Sequence, residues 1–428
     1  MMRIFWYLLY NGIFYPLLFL ICSFLAIFQN KLRQGMIGRF NSIKILKEYF
    51  KVHDADRKVY WYHAASLGEF YQIKPIIEGC KERKKQYINI LSFSSPSGMD
   101  NASSDAINLK FYLPFDFPWI IRRALKYVQP KKIIFASYDI WPNLLWMSKS
   151  KNIDLSIIAA KAKENSIKNI PIVKFFFRSL YRSFNSIYTI TEKDRVLYTD
   201  ILGDVVIPNV LALGNPRYDT VYKSSKNFIP EDRKILSDRD KYIIIGSSHF
   251  EDDQQIIPGL VNLLKNVPDL KILHAPHEPN QKNIARIQSK YLSLGYESTV
   301  FADLIDITSS NKNIIIVSKI GLLSSLYWYG QVAYIGGGFS TGIHNIMEPA
   351  IAGLPVIFGP RYEDFDEAKQ MLELGGGFCV HNSIKFETRI MELFNNKVLF
   401  ENSSSASSEV ILKNIGSTEK IIDALIAD

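Results

Sequence analysis

Ile335-Gly336-Gly337-Gly338-Phe339-Ser340-Thr341-Gly342-Ile343-His344-Asn345-Ile346-Met347-Glu348-Pro349-Ala350, followed by Gly353-Leu354-Pro355-Val356-Ile357-Phe358-Gly359-Pro360, decides how this chain folds. A short apolar strand, Val332 to Ile335, ends in glycines, a turn carries His344 and Asn345, and a second apolar strand, Pro355 to Phe358, ends in Gly-Pro. Two strand ends and a helix N-terminus at Met347 therefore converge on one crevice, which is how an open α/β sheet presents a phosphate. Glu348 at that helix start can accept hydrogen bonds from both hydroxyls of a ribose, while Asn345 and the nearby amides address the phosphate. The same His344, Asn345 and Glu348 can also simply cap a helix, although the flanking glycines and prolines demand a special backbone. The spacing does not match Gly-x-Gly-x-x-Gly and no P-loop lysine is present, which weighs against hydride transfer on a dinucleotide and against ATP hydrolysis.

The strand-and-helix rhythm extends on both sides of this segment. Val59–His63, Tyr87–Phe93, Lys132–Ala136, Leu155–Ala160, Ser186–Thr191 and Val205–Val206 read as a first set of strands. Ile243–Gly246, Lys271–Ala275, Asn313–Val317, Val332–Ile335, Pro355–Phe358 and Phe378–His381 read as a second. Pro216, the polar run Lys223–Asn227 and Pro230 separate the two, so the domain change is expected at about residues 216 to 238. A length of 428 residues, with 47% apolar and 22% charged residues, also favours two similar-sized domains. The expected class is α/β, two doubly wound parallel sheets, a plan shared by glycosyltransferases, dehydrogenases and reductases. The Ser-rich tract 403–408 reads as a loop.

Residues 5 to 28 carry no charged side chain and are dominated by Phe, Leu, Ile and Tyr, about the length needed to cross a bilayer. Residues 31 to 58 follow with Lys31, Arg33, Arg39, Lys44, Lys47, Lys51, Arg57 and Lys58 against Glu48, Asp54 and Asp56. This flank argues for one span or a deep interfacial anchor, with the globular part on the cytoplasmic side. The net charge of +9 fits an anionic membrane surface better than nucleic acid, since no nucleic-acid module accompanies it. Cys22, Cys80 and Cys379 are too few and scattered for a disulfide framework or a thiolate metal cluster.

Ser66-Leu67-Gly68-Glu69 has the form of a capping box ahead of a helix. Glu69 can instead face the crevice and take a proton from an incoming hydroxyl, and the two roles compete for one side chain. Ser94, Ser95, Ser97 and Gly98 form a hydroxyl-rich loop suited to an anion or a sugar, or a plain turn. Asp139, beside Trp141-Pro142-Asn143, is a sugar contact or a helix cap. Ser247-Ser248-His249 follows the first strand of the second set and can grip phosphate without a metal, and His277 occupies the same kind of position one unit later. Neither histidine lies in a compact zinc-ligand pattern. Asp54-Ala55-Asp56 and Asp364-Phe365-Asp366 have a spacing that can hold a divalent ion but arises easily by chance.

The ordered blocks Lys31-Leu32-Arg33-Gln34-Gly35, His63 through Glu69, Tyr112 through Asp116, Asp139 through Asn143, Leu213-Gly214-Asn215, Gly246 through His249 and Gly336 through Pro360 resemble those of bacterial 3-deoxy-D-manno-octulosonic acid (Kdo) transferases of lipopolysaccharide core assembly. The resemblance runs from the apolar N-terminus to about residue 385. It implies a GT-B architecture, two Rossmann-like domains facing a cleft. The expected division is residues 1–30 as membrane anchor, 31–220 as acceptor domain and 221–428 as donor domain, with the last helix able to return to the first. It further implies CMP-Kdo as donor, a lipid A precursor as acceptor, Glu69 as base, and inverting transfer without a metal or other cofactor. Ser247, Ser248, His249, His277, Gly337, Gly338, His344, Asn345 and Glu348 are then expected on the CMP side. Ser66, Gly68, Ser94, Ser95, Ser97 and Asp139 fall to the acceptor or donor sugar, with Arg122, Arg123 and Lys161 as candidates for phosphates or the donor carboxylate. The chain departs from the family pattern in three places. Asp139 stands for a Glu, Pro276-His277-Glu278 for Pro-Arg-His, and Ala159-Ala160-Lys161 for Asn-Ala-Arg. A transferase of another nucleotide-activated sugar and an inactive membrane-anchored nucleotide-sugar-binding protein are the alternatives.

Overall fold

A computed structural model describes residues 2–52, 58–162, 170–203, 207–230, 239 and 241–427. Asp54, Asp56 and Arg57, and the strand expected at Val205–Val206, lie outside the described residues. The chain forms two compact units, residues 1–220 with 416–428, and residues 221–415. The second unit ends at Ile415, and residues 416–428 group with the first.

The first unit begins with α1 (Met2–Leu9), a π-helical turn (Tyr10–Phe14), α2 (Tyr15–Phe28) and α3 (Asn30–Lys51). Then β1 (Val59–Ala64), α4 (Leu67–Arg83), β2 (Ile88–Phe93), α5 (Pro96–Asn101), β3 (Leu109–Tyr112) and α6 (Pro118–Val128) follow. The unit continues through β4 (Lys132–Ala136), α7 (Pro142–Ser150), β5 (Asp154–Ala160), α8 (Pro171–Tyr181), β6 (Ser186–Thr189), α9 (Glu192–Leu202) and β7 (Asn209–Ala212). Helix α10 (Arg217–Ser225) carries the chain across the division at residues 220 and 221, where the sequence reading placed a polar linker.

All seven strands are parallel, in the order β3-β2-β1-β4-β5-β6-β7. Parallel sheets need cover on both faces, and β1 shows why its sequence reads as an unbroken bulky run. Trp61 packs on one face with Phe111, Ile133 and Phe135, while Tyr60 and Tyr62 pack on the other with Phe70, Ile73 and Ile77 of α4. The chain leaves β1 toward β3 and then returns to the opposite side of β1 with β4. The strand order thus switches between β1 and β4.

The second unit contains β8 (Tyr242–Ser248), α11 (Phe250–Asn266), β9 (Lys271–Pro276), α12 (Gln281–Ser293), β10 (Thr299–Phe301), α13 (Leu304–Ser309) and β11 (Ile314–Val317). It goes on through α14 (Leu323–Leu326), β12 (Val332–Ile335), α15 (Met347–Ile351), β13 (Val356–Phe358), α16 (Asp366–Leu374), β14 (Gly377–Cys379), α17 (Ser383–Asn395) and α18 (Lys397–Lys413). Its parallel sheet has the order β10-β11-β9-β8-β12-β13-β14, so its switch lies between β8 and β12. Ile243, Ile245 and Tyr334 pack on one face against Ile256 and Leu260 of α11 and Phe386 of α17. The Ser-rich tract is not a loop: it forms the middle of α18, with Ser403, Ala406 and Ser407 buried. Gly376 lies directly against the backbone of this helix, where a Cβ on it would come 2.4 Å from the Ser407 nitrogen. Ser407 Oγ donates to the Gly376 carbonyl at 2.7 Å.

Helix α19 (Ser417–Ile426) belongs to the first unit, where Ile421, Ile422 and Leu425 are fully buried against Tyr60, Ile76 and Tyr87. Lys132 Nζ donates to the Leu425 carbonyl at 2.7 Å, and Arg83 pairs with Glu419 and Asp423.

Candidate functional site

Each sheet collects the expected polar residues at the carboxyl ends of the strands flanking its switch, the position where open α/β sheets bind ligands. In the first unit these are the connections after β1, β2 and β4. Helix α4 starts immediately after β1, which buries Glu69 in its first turn at 6% exposure. Glu69 accepts a hydrogen bond from the Ala65 amide. The expected capping box is only half made, because the Ser66 side chain forms no cap hydrogen bond. Burial is the main force on the Glu69 carboxyl, resisted by the Ala65 amide and reinforced by the negative Asp139, and it raises the pKa to about 7. Such a group is about half ionised at neutral pH, and its carboxylate form is correspondingly basic.

Asp139, just beyond β4, accepts from Ser94 Oγ at 2.6 Å and lies 3.0 Å from His63 Nε2. Burial pushes its carboxyl up, but the hydrogen bonds and charge of His63 and the Ser94 hydroxyl outweigh this and hold it at about 2. An ionised carboxylate only accepts, so the Nε2 hydrogen of His63 points at Asp139. His63 Nδ1 faces Ser92 Oγ at 2.9 Å, and Trp61 Nε1 donates to the same hydroxyl at 2.8 Å. His63 is a member of the site that the sequence reading quoted without assigning it a role. Its one available signal was a polar side chain near the end of an apolar strand.

Ser66, the N-cap residue of α4, and Gly68 in its first turn immediately precede Glu69. Ser95 is the N-cap residue of α5, and its hydroxyl lies 3.0 Å from that of Ser97. Arg122 and Arg123 are exposed on α6, and Lys161 directly follows β5.

In the second unit, the glycines after β12 touch backbone on both neighbouring strands. A Cβ on Gly336 would lie 2.4 Å from the Ser247 carbonyl oxygen, and one on Gly338 would lie 2.5 Å from the Gly359 nitrogen. Gly337 has φ +90°, a left-handed conformation that glycine tolerates best. Asp252 of α11, fully buried, fastens this loop. Its carboxylate accepts from the amides of His249 (2.9 Å) and Gly337 (2.7 Å) and from Tyr334 Oη (2.7 Å). Asp253 beside it pairs with His274 (3.0 Å) and Arg286 (2.8 Å), and His274 in turn lies 2.8 Å from Ser248 Oγ. Nothing in the sequence pattern assigns Asp252 or Asp253 a role.

His249, His277 and His344 come from three separate strand–helix connections and stack. His277 and His344 have centroids 4.2 Å apart at 13°, and His249 and His344 share a 2.8 Å contact between their Nε2 atoms. One ligand nitrogen from each ring lies within 4.8 Å of the others, a proximity that no linear spacing announced. A metal needs three lone pairs aimed at one point, whereas the 2.8 Å contact between His249 and His344 needs a hydrogen between the two nitrogens, so the trio as placed is a hydrogen-bonded stack. Burial, followed by the neighbouring His277 and His249, lowers the His344 pKa to about 4. His277 is lowered for the same kind of reason, burial first and His249 second.

The helix expected from Met347 is only the five-residue α15. Glu348 is held on both oxygens, by Ser324 Oγ and Asn345 Nδ2 at 2.8 Å each. Asn345 Oδ1 accepts from the Met347 amide at 3.2 Å, so Asn345 positions Glu348 and caps the turn together. Asp366 of the second acidic pair lies 3.7 Å from Lys369.

Residues 39–220 match the family model described as 3-deoxy-D-manno-octulosonic-acid transferase (kdotransferase). The 3-deoxy-D-manno-octulosonic acid transferase of Aquifex aeolicus (strain VF5) is 27% identical over 360 residues, covering 83% of this chain and 92% of the relative. Residues 39–220 thus carry a Kdo-transferase-like domain, and distant relatives named as Kdo transferases support the same family assignment. The chain is a glycosyltransferase enzyme. Solved structures agree on the fold. UDP-GlcNAc 2-epimerase from Neisseria meningitidis bound to UDP-GlcNAc has a TM-score of 0.58 at 14% identity, covering 87% of this chain and 100% of that one. A glycosyltransferase from Rickettsia africae ESF-5 has a TM-score of 0.56 at 12% identity, with 87% and 100% covered. The two Rossmann-like units are thus those of the GT-B fold. Asp139, one methylene shorter than the usual Glu, reaches Ser94 and His63 directly. At Pro276-His277-Glu278, the His277 amide donates to the Ser248 carbonyl at 3.0 Å and its ring joins the imidazole stack.

Proposed function

We propose that this protein transfers Kdo from CMP-Kdo to the primary hydroxyl of a lipid A precursor, with inversion at the anomeric carbon and without a metal. The observation that carries this reading is Glu69, a buried carboxylate at the switch of the first unit with its pKa raised to about 7. The acceptor hydroxyl gives its proton to Glu69 as its oxygen bonds the anomeric carbon, and the bond from that carbon to the phosphate breaks, releasing CMP. Asp139 and His63 set the charge around the base, while Ser66, Ser94, Ser95 and Ser97 offer hydroxyls to the sugars, with Arg122, Arg123 and Lys161 for acidic groups.

On the donor side, Ser247, Ser248, His249 and His277 with the amides around Gly337 and Gly338 serve the phosphate. Glu348, already oriented by Ser324 and Asn345, keeps lone pairs for the ribose hydroxyls. His344 lies against the same phosphate region. The protein works at the cytoplasmic face of the inner membrane, where the apolar N-terminus and the basic α3 meet anionic lipid.

The test is incubation of the detergent-extracted protein with CMP-Kdo and a tetra-acylated lipid A precursor, read by mass spectrometry of the lipid. A mass gain of Kdo residues is expected. An unchanged lipid, or gain only from a different nucleotide sugar, overturns the reading.

A further inference from the structure

Ile4–Phe28 is long and apolar enough to cross a membrane, yet it is not a free helix. It is fastened to the first unit at its middle. Tyr10 Oη donates to Asp116 Oδ2 at 3.0 Å, and the Asp116 amide donates to Tyr15 Oη at 2.6 Å. Asn11 and Asn143 exchange side-chain amide hydrogen bonds at 3.0 and 2.8 Å. The π-helical turn Tyr10–Phe14 makes this possible: with the Tyr15 amide bonded to the Tyr10 carbonyl, Tyr15 comes round to the side of Tyr10, and their rings stack at 5.4 Å. Trp6 packs on Phe176 of α8, and Tyr10 packs edge-on against Trp146 of α7.

A spanning helix would put residues 10 to 15 about 9 to 16 Å inside the hydrocarbon, between its N-terminal edge and the midplane. Asp116 belongs to the β3–α6 connection and Asn143 to the first turn of α7 in the folded sheet, and neither can follow them there. The opposite side of the segment is apolar and open, with Phe5, Leu20, Phe24 and Phe28 between 58% and 71% exposed. Beside it, α3 carries Lys31, Arg33, Lys44, Lys47 and Lys51 with one acid, Glu48.

We propose that residues 4–28 lie in the plane of an anionic phospholipid bilayer, inserted by their outer face and pinned from within by Asp116 and Asn143, and do not span it. The apolar face enters the acyl region and the lysines and arginines of α3 meet the headgroups, a pairing of a one-sided apolar surface with basic charge that an interfacial segment requires. This deepens the membrane reading above and rests on it only for which leaflet is contacted.

The test places a single cysteine at Met2 of the full-length protein with Cys22, Cys80 and Cys379 changed to Ser, and a second protein with the single cysteine at the exposed Glu392 of α17. Both are treated with a membrane-impermeant maleimide in inverted and in right-side-out inner-membrane vesicles. The inference expects both cysteines to react in inverted vesicles and neither in right-side-out ones. Reaction of Met2→Cys only in right-side-out vesicles, or in neither preparation before detergent is added, overturns it. Kdo transfer by the same vesicles is measured alongside, so that a wrong topology with intact transfer is distinguished from a failure of the functional reading.

Discussion

Asp139 holds a full negative charge beside Glu69 because His63, 3.0 Å from its carboxylate, helps keep it ionised. That charge is one of the forces raising the Glu69 pKa, after burial and the opposing Ala65 amide. Asp139→Asn removes the charge and should lower the pKa of the base. The acidic limb of the pH profile of kcat/KM, expected near 7 in the wild type, then moves to lower pH. An unmoved limb would show that Asp139 does not act through Glu69.

Glu69→Gln should lower transfer about 10²–10⁴-fold, the usual contribution of a general base. It should also change stability in a pH-dependent way. The folded carboxyl titrates at about 7 against 4.5 in the unfolded chain, so the folded state holds the extra proton between these values. Wild-type stability therefore falls as pH rises through that window, by at most about 3 kcal/mol. Urea melts at pH 5 and pH 8 should show the Gln variant gaining relative to wild type at the higher pH.

For His344 the sign is reversed. Its folded pKa of about 4 lies below the unfolded 6.5, so the unfolded chain takes up the proton first on acidification. The stability linked to this group is complete above about 6.5 and is lost as pH falls toward 4. Denaturant melts across this range should show a downward slope that His344→Gln makes shallower.

Gly338→Ala drives a methyl group into the Gly359 backbone, which has no flexible side chain to yield. A loss of roughly 1–3 kcal/mol is expected from overpacking, together with weaker CMP binding in calorimetry. Gly375→Ala is a useful control. Its own φ of +80° strains an alanine, but nothing lies within 4 Å of the added Cβ, so CMP binding should be retained.

Tyr10→Phe leaves a buried carboxylate oxygen of Asp116 with one donor fewer, since the Asn143 amide still reaches it at 2.9 Å. A cost of about 1–3 kcal/mol follows, measurable as a lower urea midpoint of the detergent-solubilised protein.

Strands were legible where both faces of a parallel sheet are buried, because β1, β4, β8 and β12 then read as short unbroken apolar runs. The edge strands β3, β7 and β10 carry no such run: Lys110 interrupts the first, the second is largely exposed, and the third is three half-buried residues. The tract 403–408 is helical although serine disfavours helix interiors, because its burial against Gly376 outweighs propensity at this site. Glu69, Asp139, His249 and Glu348 were found as polar residues following strands. The bonds of His63, Asp252 and Ser324 to them were not, since partners drawn from different βα units leave no mark on local spacing.

Helix α19 has a consequence for how the protein is made. Its three fully buried residues, Ile421, Ile422 and Leu425, each contribute roughly 1.5–3 kcal/mol to the core of a unit whose other residues precede position 221. On the ribosome, the first unit must therefore wait, with Ile76, Ile77 and Cys80 uncovered, while the whole intervening unit is synthesised. The unit translated second is the first able to complete its own core, which inverts the usual order of domain maturation for this chain.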